Sequence, residues 1–480
     1  MNVRVLRVLR VLEVLRGLPA STVNHLCRTV TTLSTLSMRF HSRRASIALT
    51  LSVIPALGTC ATTPVPPPGD GGGVPTLALA HGLRIAQQFR VEAINTRRFT
   101  HQMFWRAVEP SISNAALRTE EIGRSILGRE IRSVTFGDGG TTVLLWSQMH
   151  GDESTATMAL ADVFRFLTEA TGDALRERIR ERLTVVFVPM LNPDGAELFE
   201  RENAVGIDIN RDARQLATPE ARALKSLRDR LRPDFGFNLH DQGARTLAGP
   251  RGPQVAIALL APPTSTDRSY NDVRSRARLV AATIAQTLDG EIPGRIARYD
   301  DTFNPRAFGD LMQQWGTSTV LIESGALPGD PEKQRLRAIN VAALLTALDA
   351  IATGAYASAD PDAYESLPGN RGGASDVLLL GGQVVLPEKP PLRADVAITF
   401  DEPVARTGAR IRDVGDLREA IAIDTIDARG LFLHPRDTSL TRQQDGVWLR
   451  SGAVAVIDLR RDADPASAIV RTIGSATDPR

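Results

Sequence analysis

Residues 141–157 read TTVLLWSQMHGDESTAT. The first part is a run of the kind that fills a strand buried on both faces. The apolar spacing then changes to that of a helix, continuing through STATMALADVFRFLTEA at 154–170. A buried strand that hands over to a helix through a few polar residues is the repeating unit of an α/β sheet.

The same alternation recurs on either side. LTVVFVPML (183–191) reads as a second buried strand and FGFNL (235–239) as a short third one. TSTVLIES (317–324) reads as another. Between them lie helical patterns at 219–231, 274–288 and 332–352, the first opened by Pro219 after Thr218, a good N-terminal signal. Residues 75–356 are therefore expected to form one α/β domain, its sheet covered by helices on both faces. Composition shifts near 357–375, which are polar and Gly-rich. Beyond them DVLLLGG, QVVLP, ADVAITF, GLFLHP and AVAVIDL are short β-type runs between turn signals, so 376–480 are expected to form a small β-rich domain.

Composition excludes some classes. The chain is 42% hydrophobic and 23% charged, ordinary for a globular protein. No run in the body approaches the ~20 apolar residues of a membrane span. The formal charge is +2, but residues 1–61 carry eight Arg and one Glu, +7, which leaves −5 for the rest. A mildly acidic body offers no footprint for nucleic acid. Only Lys225, Lys333 and Lys389 are lysines, as expected from a genome biased to Arg codons.

The two cysteines, Cys27 and Cys60, both lie near the N-terminus. The body thus has no disulfide and no thiolate metal site, and any metal must sit on His and carboxylate. The opening VRVLRVLRVLEVLRGL is a near-repeat that could form an amphipathic helix or precede a true start at Met38. From Met38, a basic MRFHSRR is followed by the apolar SIALTLSVIPALG and then Cys60. That order resembles a bacterial lipoprotein signal with Cys60 lipidated; ordinary cleavage and secretion is the rival, and Thr59 is a poor residue before a lipidated cysteine. Either way residues 1–61 read as an extension with an export signal, and 62–74 as a flexible linker. The expectation is an exported protein, periplasmic or anchored by lipid on Cys60, or secreted.

Of the seven histidines, two stand directly after buried-strand runs, where open α/β sheets form their ligand sites. His150 follows TTVLLWSQM, and Glu153 is three residues on; in a turn entering a helix those positions share a face. His240 follows FGFNL. Two His and one Glu form a catalytic zinc set with one position left open. His434 stands alone in the β-rich region and reads as a satisfied or surface histidine.

Further pieces occur in order around this set. IGRSILGREI (122–131) lies upstream, then HGDE (150–153), NPDG (192–195), Arg201, GIDINR (206–211), NLHD (238–241) and Glu323 at the end of TSTVLIES. Together they resemble the zinc carboxypeptidases of the carboxypeptidase A type, over roughly residues 95–350. The resemblance implies a mixed central sheet, one zinc per chain on His150, Glu153 and His240, and a peptide substrate with a free C-terminal carboxylate. It assigns Glu323 as the catalytic acid/base and Arg201 as the stabiliser of the oxyanion. Asn210 and Arg211 match the pair that grips the substrate carboxylate, for which a planar guanidinium is suited. Asp208 matches an acid that orients the first zinc histidine through its other ring nitrogen, and Tyr299 is the candidate for a tyrosine that closes on substrate. Asp241 could orient His240 in the same way or be an exposed acid. Two departures are plain: Asp152 stands where the pancreatic enzymes have Arg, and Asp212 follows the Asn-Arg pair where Asn is more usual.

Three functions follow as alternatives. The first is an exported metallocarboxypeptidase. The second is an amidase or deacylase on the same fold, acting on N-acyl amino acids or peptidoglycan stem peptides, which also end in a carboxylate. The third is a zinc-dead binding protein, against which the intact His150, Glu153, His240 and Glu323 argue. The role of residues 376–480 and the oligomeric state stay open.

Overall fold

The computed structural model describes residues 77–474, which lie within one compact unit, Pro67–Arg480. The expected export signal, the start at Met38, Cys60 and the linker at 62–74 lie outside the described residues.

Two helices lead in, α1 (Leu79–Gln88) and α2 (His101–Ile112). The strands β1 (Leu117–Arg124), β2 (Glu130–Phe136) and β3 (Thr141–Ser147) follow, then α3 (Thr155–Glu169), α4 (Ala174–Arg182), β4 (Leu183–Val188) and the short α5 (Pro193–Leu198). Next come α6 (Pro219–Leu231), β5 (Phe235–Asp241), β6 (Leu247–Ala248), β7 (Ile257–Leu260) and α7 (Asp272–Leu288). β8 (Ile296–Arg298), α8 (Phe308–Gln314), β9 (Ser318–Ser324), α9 (Gln334–Thr353) and β10 (Asn370–Arg371) complete this part. Eight strands form one sheet in the order β1-β2-β4-β3-β5-β9-β7-β8. It is mixed: β4, β3, β5 and β9 run parallel, while the β1–β2, β2–β4 and β9–β7 pairs are antiparallel.

Alternation along the strands sends successive side chains to opposite faces. Val143, Leu145, Phe237, Leu239, Val320 and Ile322 face one core, shared with α3, α7 and α9. Leu144, Trp146, Val186 and Val188 face a second core against α6 and α8. Helices therefore cover both faces, as expected. α6 has the bounds its sequence signals indicate, with the Thr218 hydroxyl accepting from the Ala221 N–H and Pro219 at the first turn. α9 is long and apolar enough to cross a membrane by composition, contrary to the reading of the body; most of it is buried among α1, α3 and α7.

After β10, which pairs with β6, the chain turns to β structure. β11 (Ser375–Leu380), β12 (Gln383–Val384), β13 (Leu392–Arg393), β14 (Asp395–Glu402), β15 (Thr407–Gly415) and β16 (Ala422–Asp427) come first, and the last described strand is Ile469–Ile473. A four-stranded sheet, β15-β14-β11-β16, and a five-stranded one enclose a separate apolar core built on Val377, Ile398, Phe400, Leu433 and Ile457. His434 is buried there, its Nε2 3.1 Å from the carbonyl of Asp462, a satisfied histidine.

Candidate metal centre and active-site cavity

The turn from β3 into α3 presents the first two candidate ligands. Glu153 N–H donates to the His150 carbonyl at 3.1 Å, and the turn brings Glu153 Oε1 to 2.8 Å from His150 Nδ1. Gly151 between them is forced by close approach: a Cβ there would lie 2.0 Å from the carbonyl carbon of Gly195. His240 is the third. It sits within β5, since the strand runs on past FGFNL to Asp241. Its Nδ1 is 2.6 Å from Glu153 Oε2, and the donor atoms of the three residues lie within 4.8 Å of one another.

The sequence motifs around this triad form one support. Asp194 of NPDG accepts from Ser125 Oγ (2.8 Å), Leu127 N–H (3.0 Å) and Arg129 Nη1 (2.7 Å), tying down the turn between β1 and β2. Asn192 accepts from Gly195 N–H at 2.9 Å and donates to the carbonyls of Arg201 and Glu202. That contact holds Arg201 at the triad, where its Nη1 is 3.1 Å from Glu153 Oε1 and its Nη2 is 2.9 Å from Asp208 Oδ2. Asp208 Oδ1 lies 3.0 Å from His150 Nε2, which leaves Nδ1 as the ligand atom. The donor set, two imidazole nitrogens and a carboxylate, all buried and convergent, fits a zinc ion with an open position.

Register places the acid/base candidate. In the parallel β5–β9 pair Glu323 lies directly beside His240, so alternation points both to the same side of the sheet. Asn210 Nδ2 is 3.4 Å from His240 Nε2, and Asn210 Oδ1 accepts from Phe308 N–H at 2.9 Å. Arg211 donates to the Asn210 carbonyl at 2.9 Å, and no carboxylate pairs with it among the described residues. Tyr299 packs on Ala248, Val255 and Ala258 at the cavity wall. His150, Glu153, Arg201, Asn210, Arg211, His240, Tyr299 and Glu323 line one cavity of about 760 Å³; Asp208 does not.

One sequence expectation changes, and one departure finds its structural reason. Asp241 does not touch the His240 ring; its Oδ2 accepts from Thr155 Oγ1 (2.6 Å) and pairs with Lys333 (2.9 Å), while its backbone N–H donates to Glu153. Asp212 is a turn acid: its carboxylate accepts the N–H groups of Ala217 and Thr218 and the Thr218 hydroxyl. Two other cavity-lining groups have no role in the sequence reading, although Asn238 opens the NLHD motif. Asn238 exposes a buried amide oxygen with no partner, and Asp310 lines the same wall. A polar residue within a buried strand was the available sign for Asn238; nothing marked Asp310.

Burial and charge set the titration of these groups. Burial favours neutral His150, but Glu153 and Asp208 outweigh it and hold its imidazolium up to about 9. For Glu153 burial is opposed and overcome by His150 and His240, so it stays ionised. Burial lowers His240 despite Glu153. Burial, and then the Glu153 charge, push Glu323 well above the usual carboxylate range. The charge of Glu323, then burial, push the Tyr299 hydroxyl up to about 12. Burial raises Asp310 to about 6.

The family model described as zinc carboxypeptidase matches residues 103–246, a stretch with all three triad members. Carboxypeptidase 2 of Trichophyton tonsurans is 28% identical over 109 residues, 22% of this chain and 20% of that protein. An uncharacterized protein of Zymomonas mobilis is 27% identical over 129 residues, 26% of this chain and 34% of its own length. The chain thus spans about a fifth to a third of the length of these curated relatives. Among solved structures, a metallo-carboxypeptidase from Burkholderia cenocepacia superposes with TM-score 0.43 and 18% identity, over 52% of this chain and 69% of that one. Bovine thrombin-activatable fibrinolysis inhibitor gives TM-score 0.45 and 14% identity, over 54% and 98%. Residues 103–246 are therefore similar to the zinc carboxypeptidases, and the triad lies inside that matched stretch.

Proposed function

We propose that this protein is a zinc metallocarboxypeptidase that hydrolyses the C-terminal peptide bond of peptides or proteins outside the cytoplasm. One observation carries the reading: the His150–Glu153–His240 triad, Glu323 and the unpaired guanidinium of Arg211 open into a single cavity. His150, Glu153 and His240 would hold the zinc ion, which when bound would supply a Lewis acid and lower the pKa of water toward ~7. Glu323, one strand over from His240, takes the proton from the attacking water and passes it to the leaving amine. Its raised proton affinity strengthens it as a base toward the water and lets it retain the proton until the amine leaves.

Arg211 has no carboxylate partner among the described residues; with Nη1 on the Asn210 carbonyl, its remaining N–H groups can receive a terminal carboxylate, with Asn210 beside it. Arg201, fixed by Asp208 and Asn192, keeps positive charge at the edge of the triad where the oxyanion develops. Tyr299, protonated up to about pH 12, remains a hydrogen-bond donor at the wall. Export, and lipid on Cys60, are proposed from the basic-then-apolar stretch at 38–60.

The test is a screen of peptides that differ only in their last residue, with matched C-terminal amides, followed by mass spectrometry. Release of single C-terminal residues from the acids and not from the amides is expected, and Arg211→Ala should raise KM about 10–100-fold, as expected for a lost charged hydrogen bond. Cleavage confined to N-acyl amino acids or muropeptides would replace this reading with the amidase or deacylase one.

A further inference from the structure

The cavity is not walled by the α/β domain alone. Glu402, the last residue of β14, and Pro403 and Val404 in the turn that leads to β15 line it as well. This turn is tied at both ends. At the tip, Glu402 accepts from Arg97 Nη2 at 2.8 Å and from Arg98 Nη2 at 3.5 Å. Arg97 is itself fixed, its N–H donating to Glu332 (2.9 Å) and its carbonyl accepting from Ser154 Oγ (2.6 Å), one residue past Glu153. At the base, Arg245, four residues past Asp241, pairs with Asp376 at 2.7 Å and donates to the Phe400 carbonyl. The turn is therefore registered against the two segments that present Glu153 and His240.

Its place in the cavity follows from the two faces of the sheet. Asn210 and Arg211 belong to the α8 side, through the Phe308 N–H. Arg97 and Glu402 belong to the other side, over the starts of α3 and α9, through Ser154 and Glu332. A peptide with its carboxylate on Arg211 and its last amide at the triad sends its preceding residues toward the turn. What the turn offers there is apolar. The Glu402 charge is taken up by Arg97 and Arg98, which leaves the Pro403 ring and Val404 half-buried at the wall. The Phe199 ring lines the same side, 4.6 Å beneath the Arg98 guanidinium. Asp152 adds a buried carboxylate oxygen with no partner, an acceptor for a substrate N–H.

We propose that the β-rich region completes the substrate cleft: Pro403, Val404 and Phe199 form an apolar wall that selects peptides with apolar side chains upstream of the scissile bond. This rests on the carboxypeptidase reading and names the substrate preference of that site. The experiment compares tetrapeptides that share a C-terminal residue and carry Leu or Asp at the two preceding positions, with the N-acetyl form of the terminal amino acid as a substrate too short to reach the turn. The zinc-loaded full chain should favour the Leu peptides about tenfold or more in kcat/KM, the range a hydrophobic subsite supports.

Val404→Asp should collapse that preference through KM and lower the tetrapeptide-to-acetyl ratio about tenfold. Val404→Ala, a milder change, should move both quantities in the same direction. No upstream preference in the parent, or an equal loss on both substrate lengths in the variants, overturns the proposal. A parent that hydrolyses none of the substrates defeats the carboxypeptidase reading instead. Binding of the same tetrapeptides to the zinc-loaded parent then decides the wall on its own: preference for Leu that Val404→Asp abolishes upholds it, and equal affinity overturns it.

Discussion

Glu323 is buried beside His240 and surrounded by the negative charge of Glu153, so the protein holds a carboxyl of unusually high proton affinity where a proton must be carried. Glu323→Ala is expected to lower kcat by about 10²–10⁴ while zinc remains bound one per chain, because the residue is not a ligand; full activity with metal present would remove it from the mechanism. His150 supports a second expectation. Its pKa is raised from 6.5 to about 9, so in the metal-free protein its pairing with Glu153 and Asp208 contributes stability fully below pH 6.5. That contribution is lost as pH rises through 9. Zinc requires the Nδ1 proton to leave, so zinc affinity should rise about tenfold per pH unit between 6.5 and 9, with one proton released per ion bound. Calorimetric zinc titrations in buffers of different ionisation enthalpy measure both; pH-independent affinity over that window would contradict the assignment. Most of these residues were legible one by one, since His150, Glu153, Arg201 and Asn210 sit in short local patterns. The role of Asp241 is not readable locally, because its partner, Lys333, lies far along the chain.

Single elements explain why some of the site could be read and some could not. The α6 boundaries follow from Thr218 and Pro219, signals that act within one turn of helix. The sequence pattern ends β5 two residues early, because His240 and Asp241 are polar and a buried-strand pattern stops at Leu239. They belong to the strand because β9 pairs with it residue for residue, His240 to Glu323 and Asp241 to Ser324. Such pairing joins segments more than eighty residues apart, and no local pattern encodes it. The turn from β3 to α3 is the element most exposed to substitution. Gly151→Ala places a methyl against the Gly195 backbone, so either the His150–Glu153 turn or the Asn192–Gly195 turn must shift. Both turns support the triad, directly or through Arg201. Gly151→Ala should therefore fold with the same far-UV circular dichroism yet bind zinc at least tenfold more weakly, a 1 Å displacement being costly for a preorganised site. Equilibrium dialysis against zinc settles it, and unchanged affinity would mean that the contact relaxes elsewhere.

At the scale of the molecule, the β-rich region has its own apolar core, and its attachment to the α/β domain includes charged pairs that bury one partner. The sequence marked this region off by its short strands and turn signals, but it could not say where any turn lands. Residues 401–406, DEPVAR, carry no sequence signal for a cavity wall; their position at the cavity depends on how two separate cores dock. The attachment can be tested through Asp376, which is 5% exposed as a side chain and accepts from both Arg245 Nε and Phe400 N–H at 2.7 Å. Removing it leaves the buried Phe400 N–H unpaired and takes the charged partner from Arg245, which then holds the β-region to the segment after β5 only through the Phe400 carbonyl. Asp376→Ala should cost about 1–3 kcal/mol, the usual penalty for such unpaired groups. It should also loosen the turn at the cavity, so that the Leu-over-Asp tetrapeptide preference weakens while the zinc content stays at one per chain. Urea denaturation monitored by tryptophan fluorescence gives the first quantity and the peptide comparison the second. A destabilised variant with an intact preference would show that Glu402 and the arginines hold the turn by themselves; an unchanged denaturation midpoint would mean that Asp376 contributes nothing to the union of the two regions.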